Sequence, residues 1–83
     1  MPLFMDVHTV TGATAADVAE AHRKDLATQG QHGVKYLRYW LDEQQGKIFC
    51  LAEAPSAEAA ARVHREAHGL VADEITEVEE GAV

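Results

Sequence analysis

Val34-Lys35-Tyr36-Leu37-Arg38-Tyr39-Trp40-Leu41-Asp42 is rich in aromatic and branched side chains, and Lys47-Ile48-Phe49-Cys50-Leu51-Ala52-Glu53 is nearly continuous in apolar character. Both compositions suit strands. The intervening Glu43-Gln44-Gln45-Gly46 is a short turn with a glycine for the positive φ, so the pair reads as an antiparallel hairpin.

On the N-terminal side of this hairpin, Leu3, Met5 and Val7 alternate with Phe4, Asp6, His8 and Val10, as in a strand whose two faces are used differently. Thr11-Gly12-Ala13 ends it. Thr14-Ala15-Ala16-Asp17 resembles a capping box in which Asp17 replaces the usual Glu, and Val18, His22 and Leu26 then recur at i, i+4 and i+8. This is an amphipathic helix ending near Gln29-Gly30. On the C-terminal side, Ser56 caps a second helix with Ala59, Val63 and Ala67 as its seam and Gly69 as its stop. Glu74 to Glu79, carrying Ile75 and Val78, reads as a short edge strand. The order β-α-β-β-α-β predicts an α+β, ferredoxin-like fold: one domain over residues 1–83, an antiparallel sheet with two helices on one face.

Two alanine-rich helices do not cover Phe4, Tyr36, Tyr39, Trp40 and Phe49 together, and 83 residues bury only a modest core. A homodimer formed through the open sheet faces is the expected outlet. The net charge of −7, from 14 acidic against 7 basic residues, leaves no basic stripe to displace counterions, so nucleic acid is not an expected partner. It permits divalent cations. The lone Cys50 suits a reducing compartment, and no stretch resembles a signal peptide or membrane span; the expectation is a cytoplasmic protein without a membrane partner.

Val63-His64-Arg65-Glu66-Ala67-His68-Gly69 places two imidazoles four residues apart, on one helix face and within reach of a single ion. Measured from the seam at Val63, His64 lies about 100° away and His68 about 140°, which predicts positions at the rim of the core. Such a pair also complements the dipole at a helix C-terminus without any metal. His22 lies on the apolar stripe of the first helix. Asp6 and His8 share a strand face, as a carboxylate-oriented ligand or as a polar couple on the open side of the sheet. His32, in Gly30-Gln31-His32-Gly33, is a single turn imidazole. The candidate metal ligands are therefore His64, His68, His8, His22 and Asp6, with Glu66 assisting. Imidazole with carboxylate and water suits Ni²⁺, Zn²⁺ or Cu²⁺ better than Ca²⁺ or Mg²⁺.

Other chemistry is poorly supported. The zincin motif is absent, because Glu66 is displaced by one position in His64-Arg65-Glu66-Ala67-His68. Cys50 sits in an apolar strand, which predicts a raised pKa and an inert thiol. No glycine-rich loop of the phosphate-binding kind follows a strand.

Phe4-Met5-Asp6-Val7-His8, Tyr39-Trp40-Leu41-Asp42, Phe49-Cys50-Leu51-Ala52-Glu53-Ala54-Pro55 and Val63-His64-Arg65-Glu66-Ala67-His68-Gly69 together resemble a family of small actinobacterial proteins, formerly a domain of unknown function, that includes a nickel-binding ferredoxin-like dimer. The resemblance runs from Pro2 to Val78. It implies a dimer that handles Ni²⁺ by binding, sequestration or detoxification, with no residue-level ligand motif to transfer. The expectation is a binding protein without catalytic residues, whose affinity falls as protons compete for imidazole. The rival is a cofactor-free enzyme or small-molecule binder of the dimeric αβ-barrel type, with Trp40, Tyr36 or Tyr39, Asp6 and His8 around a cavity and His8 as general base.

Overall fold

The computed structural model describes residues 1–82. Its elements are β1 (Leu3–Thr9), α1 (Ala15–Thr28), a 3₁₀ turn (Gln29–His32), β2 (Lys35–Asp42), β3 (Lys47–Glu53), α2 (Ala57–Ala67) and β4 (Glu74–Val78). The strands form one sheet in the order β2-β3-β1-β4, antiparallel at every pairing. That is the expected ferredoxin-like arrangement, with the hairpin and the short C-terminal strand at opposite edges. Among the described residues no helix is long and apolar enough to cross a membrane.

Each helix starts where its caps dictate. Thr14 Oγ1 accepts the Asp17 N–H at 3.2 Å while Asp17 Oδ2 accepts the Thr14 N–H at 3.3 Å, completing the capping box despite the shorter acid. Ser56 Oγ accepts the Ala59 N–H at 3.1 Å. At the other end of α2, the His68 and Gly69 N–H groups both close on the His64 carbonyl, and Gly69 turns the chain out at φ +80°. This left-handed exit brings the Leu70 N–H back over the His68 ring.

Phe4, Asp6 and His8 of β1 face the helices, together with Ile48, Cys50 and Ala52 of β3. Asp6 and His8 are therefore interior and not on the open face, a correction to the sequence reading. Small side chains make room for them, since Ala52, Ala54, Ala60 and Val63 are fully buried where α2 meets the sheet. The seam of α1 also differs from the one predicted: Asp25 is 2% exposed and Leu26 is 47% exposed. Hydropathy ranks these two the other way. The polar partners that α2 supplies reverse the ranking, as described below.

A bulge in β2 settles the aromatic question. Tyr36 pairs with Ala52 and Arg38 with Leu51, so Leu37 is an extra residue and the strand's alternation shifts by one. Tyr36 and Tyr39, three apart, consequently share the helix-facing side, whereas Trp40 lies opposite Phe49 on the other face at 47% exposure. Leu3, Met5, Val7 and Leu51, all partly exposed, continue that apolar face.

The hairpin turn depends on Gly46. Its φ is +68°, and a Cβ there would lie 2.9 Å from the Val10 carbonyl oxygen, which belongs to a segment already tied by a 2.7 Å bond from the Val10 N–H to the Gly46 carbonyl. Gly46→Ala is expected to lower stability by about 1–3 kcal/mol, from left-handed strain compounded by the backbone clash. Chemical denaturation of the two proteins checks this, and an unchanged midpoint would refute it.

Candidate metal centre

His64 stands at the centre of a buried polar cluster to which every layer of the fold contributes. β1 supplies Asp6 and His8, β2 Tyr36, β3 Cys50, α1 Asp25, and α2 His64 and His68. His64 Nδ1 lies 2.9 Å from Asp25 Oδ1, and its Nε2 lies 3.0 Å from Asp6 Oδ2 and 2.8 Å from the Tyr36 hydroxyl. Tyr36 donates onward to Asp6 Oδ2 at 3.0 Å or to the Ala60 carbonyl at 3.3 Å. The other Asp6 oxygen takes a 3.0 Å bond from His8 Nε2, whose ring meets His64 edge-on.

The helical rim predicted for His64 is in fact the interface between the helices. The flank of α2 that is 100° from the sheet-facing seam packs on α1, so His64 is only 1% exposed and reaches Asp25. His68, one turn later, is partly exposed and approaches the same Asp25 oxygen at 3.0 Å. Of the five predicted ligands, His64, His68, His8 and Asp6 converge. His22 does not join them: its ring lies against Tyr39 with centroids 4.7 Å apart. Glu66 pairs with His32 at 3.0 Å, away from the cluster. Asp25 is the member the sequence reading missed. Its only signal was an acid three residues after His22 on the same helical flank, a spacing that surface helices often carry.

Burial works against the charge on His64, but the hydrogen bonds to Asp25 and Asp6 outweigh it and push the pKa up to about 11. Burial likewise opposes ionisation of Asp6 and Asp25, and the hydrogen bonds from the histidines overcome it, holding both carboxyls below the usual range. Desolvation raises the Tyr36 hydroxyl strongly and the Cys50 thiol to about 11, so both remain protonated. The centre is an imidazolium held between two carboxylates.

Three donor atoms offer the face of a coordination shell. His64 Nδ1, His68 Nε2 and Asp25 Oδ1 form a triangle with edges of 2.9, 3.0 and 3.3 Å. An octahedral ion with bonds of about 2.1 Å needs adjacent ligands about 3.0 Å apart, against about 3.4 Å for a tetrahedral one. The spacing and the donor types fit a six-coordinate divalent ion with water in the remaining positions. Asp6, bonded to the opposite nitrogen of His64, would orient the ring from behind. The alternative set of Asp6, His8, Cys50 and His64 is wholly buried and includes a thiol that resists deprotonation, so the fit is poorer. The Leu70 N–H donates to His68 Nδ1 at 3.1 Å, which leaves the ring proton on Nε2, pointing at Asp25. An ion at Nε2 would displace that proton and require the other tautomer, at the expense of the Leu70 bond.

A family model described as "Nickel responsive protein SCO4226-like" matches residues 4–78 of the chain. The crystal structure of SCO4226 from Streptomyces coelicolor A3(2) is similar throughout, with a TM-score of 0.90 and 46% sequence identity over 96% of this chain and 99% of that one. No curated protein matches the chain significantly.

The charged cluster makes stability depend on pH in a defined way. His64 retains in the folded state a proton that the unfolded chain releases near pH 6.5, so its contribution is complete below that pH and is lost as pH rises toward about 11. The lowered carboxyl groups contribute fully above their ordinary range near pH 4 and lose that contribution as pH falls through their folded values. Metal-free protein is expected to have its highest Tm between about pH 4 and 6.5 and to lose stability toward pH 9, by at most about 1.4 kcal/mol per unit for one proton. His64→Gln should lower Tm and flatten the alkaline limb. A wild-type Tm that rises from pH 6.5 to 9 would contradict the assignment.

Proposed function

The chain belongs to the SCO4226-like family of nickel responsive proteins, and from that premise we propose that it binds Ni²⁺ at Asp25, His64 and His68 as a sequestering or detoxifying protein, not as an enzyme. The observation that carries this reading is the triangle of one carboxylate and two imidazole donors with edges near those of an octahedral face. The site is interior, with His68 as its exposed side, and does not use isolated surface histidines. Binding exchanges the metal for the proton on His64 Nδ1 and shifts the His68 proton from Nε2 to Nδ1, so affinity falls in acid. A reducing, cytoplasmic setting accords with the single buried thiol.

The same reading includes a homodimer closed through the open sheet face, supported by the partly exposed apolar row of Leu3, Met5, Val7, Phe49 and Leu51 with Trp40 beside it. Trp40→Glu is expected to convert a dimer to a monomer in light scattering coupled to size-exclusion chromatography; wild type that elutes as a monomer would remove the dimer from the proposal.

Calorimetric titration of chelator-treated protein with NiCl₂ tests the metal site. Saturable binding near one ion per chain is expected at pH 7.5, with a heat that varies with the buffer's ionisation enthalpy and an affinity at least about tenfold lower at pH 5.5. His68→Ala and Asp25→Asn should each abolish the site in protein shown by circular dichroism to be folded, and His22→Ala should leave it intact. Undiminished binding in both ligand variants would overturn the assignment.

A further inference from the structure

Beside the polar cluster, between α1 and the sheet, lies a cavity of about 270 Å³ whose wall is chiefly Val10, Val18, Ala21, Tyr39, Ile48 and Leu70. An apolar cavity of about 150 Å³ holds benzene, so this one accepts a single substituted ring. Four imidazoles line it as well, His64 and His68 where it meets the metal centre, and His8 and His22 apart from the proposed metal ligands. His22 Nδ1 is buried and, among the described residues, is the one buried side-chain polar atom with no hydrogen-bond partner. Its ring is held against Tyr39, an aromatic wall on which a second ring can pack. In the neutral His8 ring, Nε2–H is committed to Asp6, leaving the Nδ1 lone pair as its acceptor. A wall of this kind recognises a molecule by apolar contact plus one donated hydrogen bond.

Charge narrows the choice. Asp17 and Asp25 place two carboxylates on the cavity wall, and no lysine or arginine lines it. An anionic ligand would therefore enter an already negative, poorly solvated space. We propose that this cavity binds a small, neutral, one-ring aromatic molecule bearing a hydroxyl, of the phenol class, whose hydroxyl donates to His22 Nδ1. This site goes beyond metal binding and does not rest on it, since none of its recognition atoms is a ligand in the metal site.

The test is a titration of chelator-treated, ¹⁵N-labelled protein with phenol, toluene and benzoate at pH 7.5, followed through amide chemical shifts. Phenol is expected to produce saturable shifts in the Val18–His22 segment and at Tyr39 and Leu70, with benzoate weaker by about tenfold or more. His22→Leu should weaken phenol by roughly fivefold and leave toluene unchanged, the pattern of one lost hydrogen bond. Ala21→Leu, which fills the cavity, should abolish both while nickel binding, where wild type shows it, persists. Absence of saturable phenol binding, equal binding of benzoate, or full phenol affinity in folded Ala21→Leu protein would each overturn the proposal. Failure of the metal site leaves all these outcomes readable, because no metal is present in the titration.

Discussion

The fold closes around one charged imidazole. His64, from α2, bonds through one nitrogen to Asp25 of α1 and through the other to Asp6 of β1, at 2.9 and 3.0 Å. An isolated ion in this interior would be prohibitively costly, and each member is tolerable only because the other two are present. Much of the remaining architecture follows. The alanines of α2 and β3 admit an imidazole where a larger neighbour would exclude it, Tyr36 occupies the remaining acceptor site, and the β2 bulge aims Tyr36 at the cluster.

The same arrangement explains how one centre serves both a proton and a metal. Two carboxylates hold His64 protonated, and the triangle around Asp25 Oδ1 has dimensions that suit a divalent ion as well as hydrogen bonds. A bound cation would replace positive charge already there, so the interior would not need to reorganise its electrostatics to accept it. The proximity of the left-handed exit at Gly69 matters here. It presents the Leu70 N–H to His68 and so ties the tautomer of the outer histidine to the conformation of the loop toward β4.

The cavity beside this centre has a different character, apolar over most of its wall and polar where Thr11, Asp17, His8, His22 and the cluster meet it. Of the side chains that a dimeric αβ-barrel reading gathers around a cavity, Tyr39 and His8 line this one, and Asp6 and Tyr36 lie in the cluster behind it. Trp40 is on the far face of the sheet. His8 Nε2 is bonded to Asp6, which leaves its Nδ1 as the free ring nitrogen.

The order of elements, both helix caps, the glycine turn at Gly46 and the pairing of strands were legible in the sequence, because alternation, capping and left-handed turns are local properties with local causes. So was the histidine pair of α2 as a chemical feature. The role of Asp25 was not legible, nor which face of β1 is buried. By hydropathy alone Leu26 belongs inside and Asp25 outside, and Leu3, Met5 and Val7 are better core residues than Asp6 and His8. The bulge at Leu37 likewise hides from a strict period of two. Tertiary structure decided these points because burial of a charged group depends on the partners it meets, and the three that matter here come from segments 19, 39 and 58 residues apart.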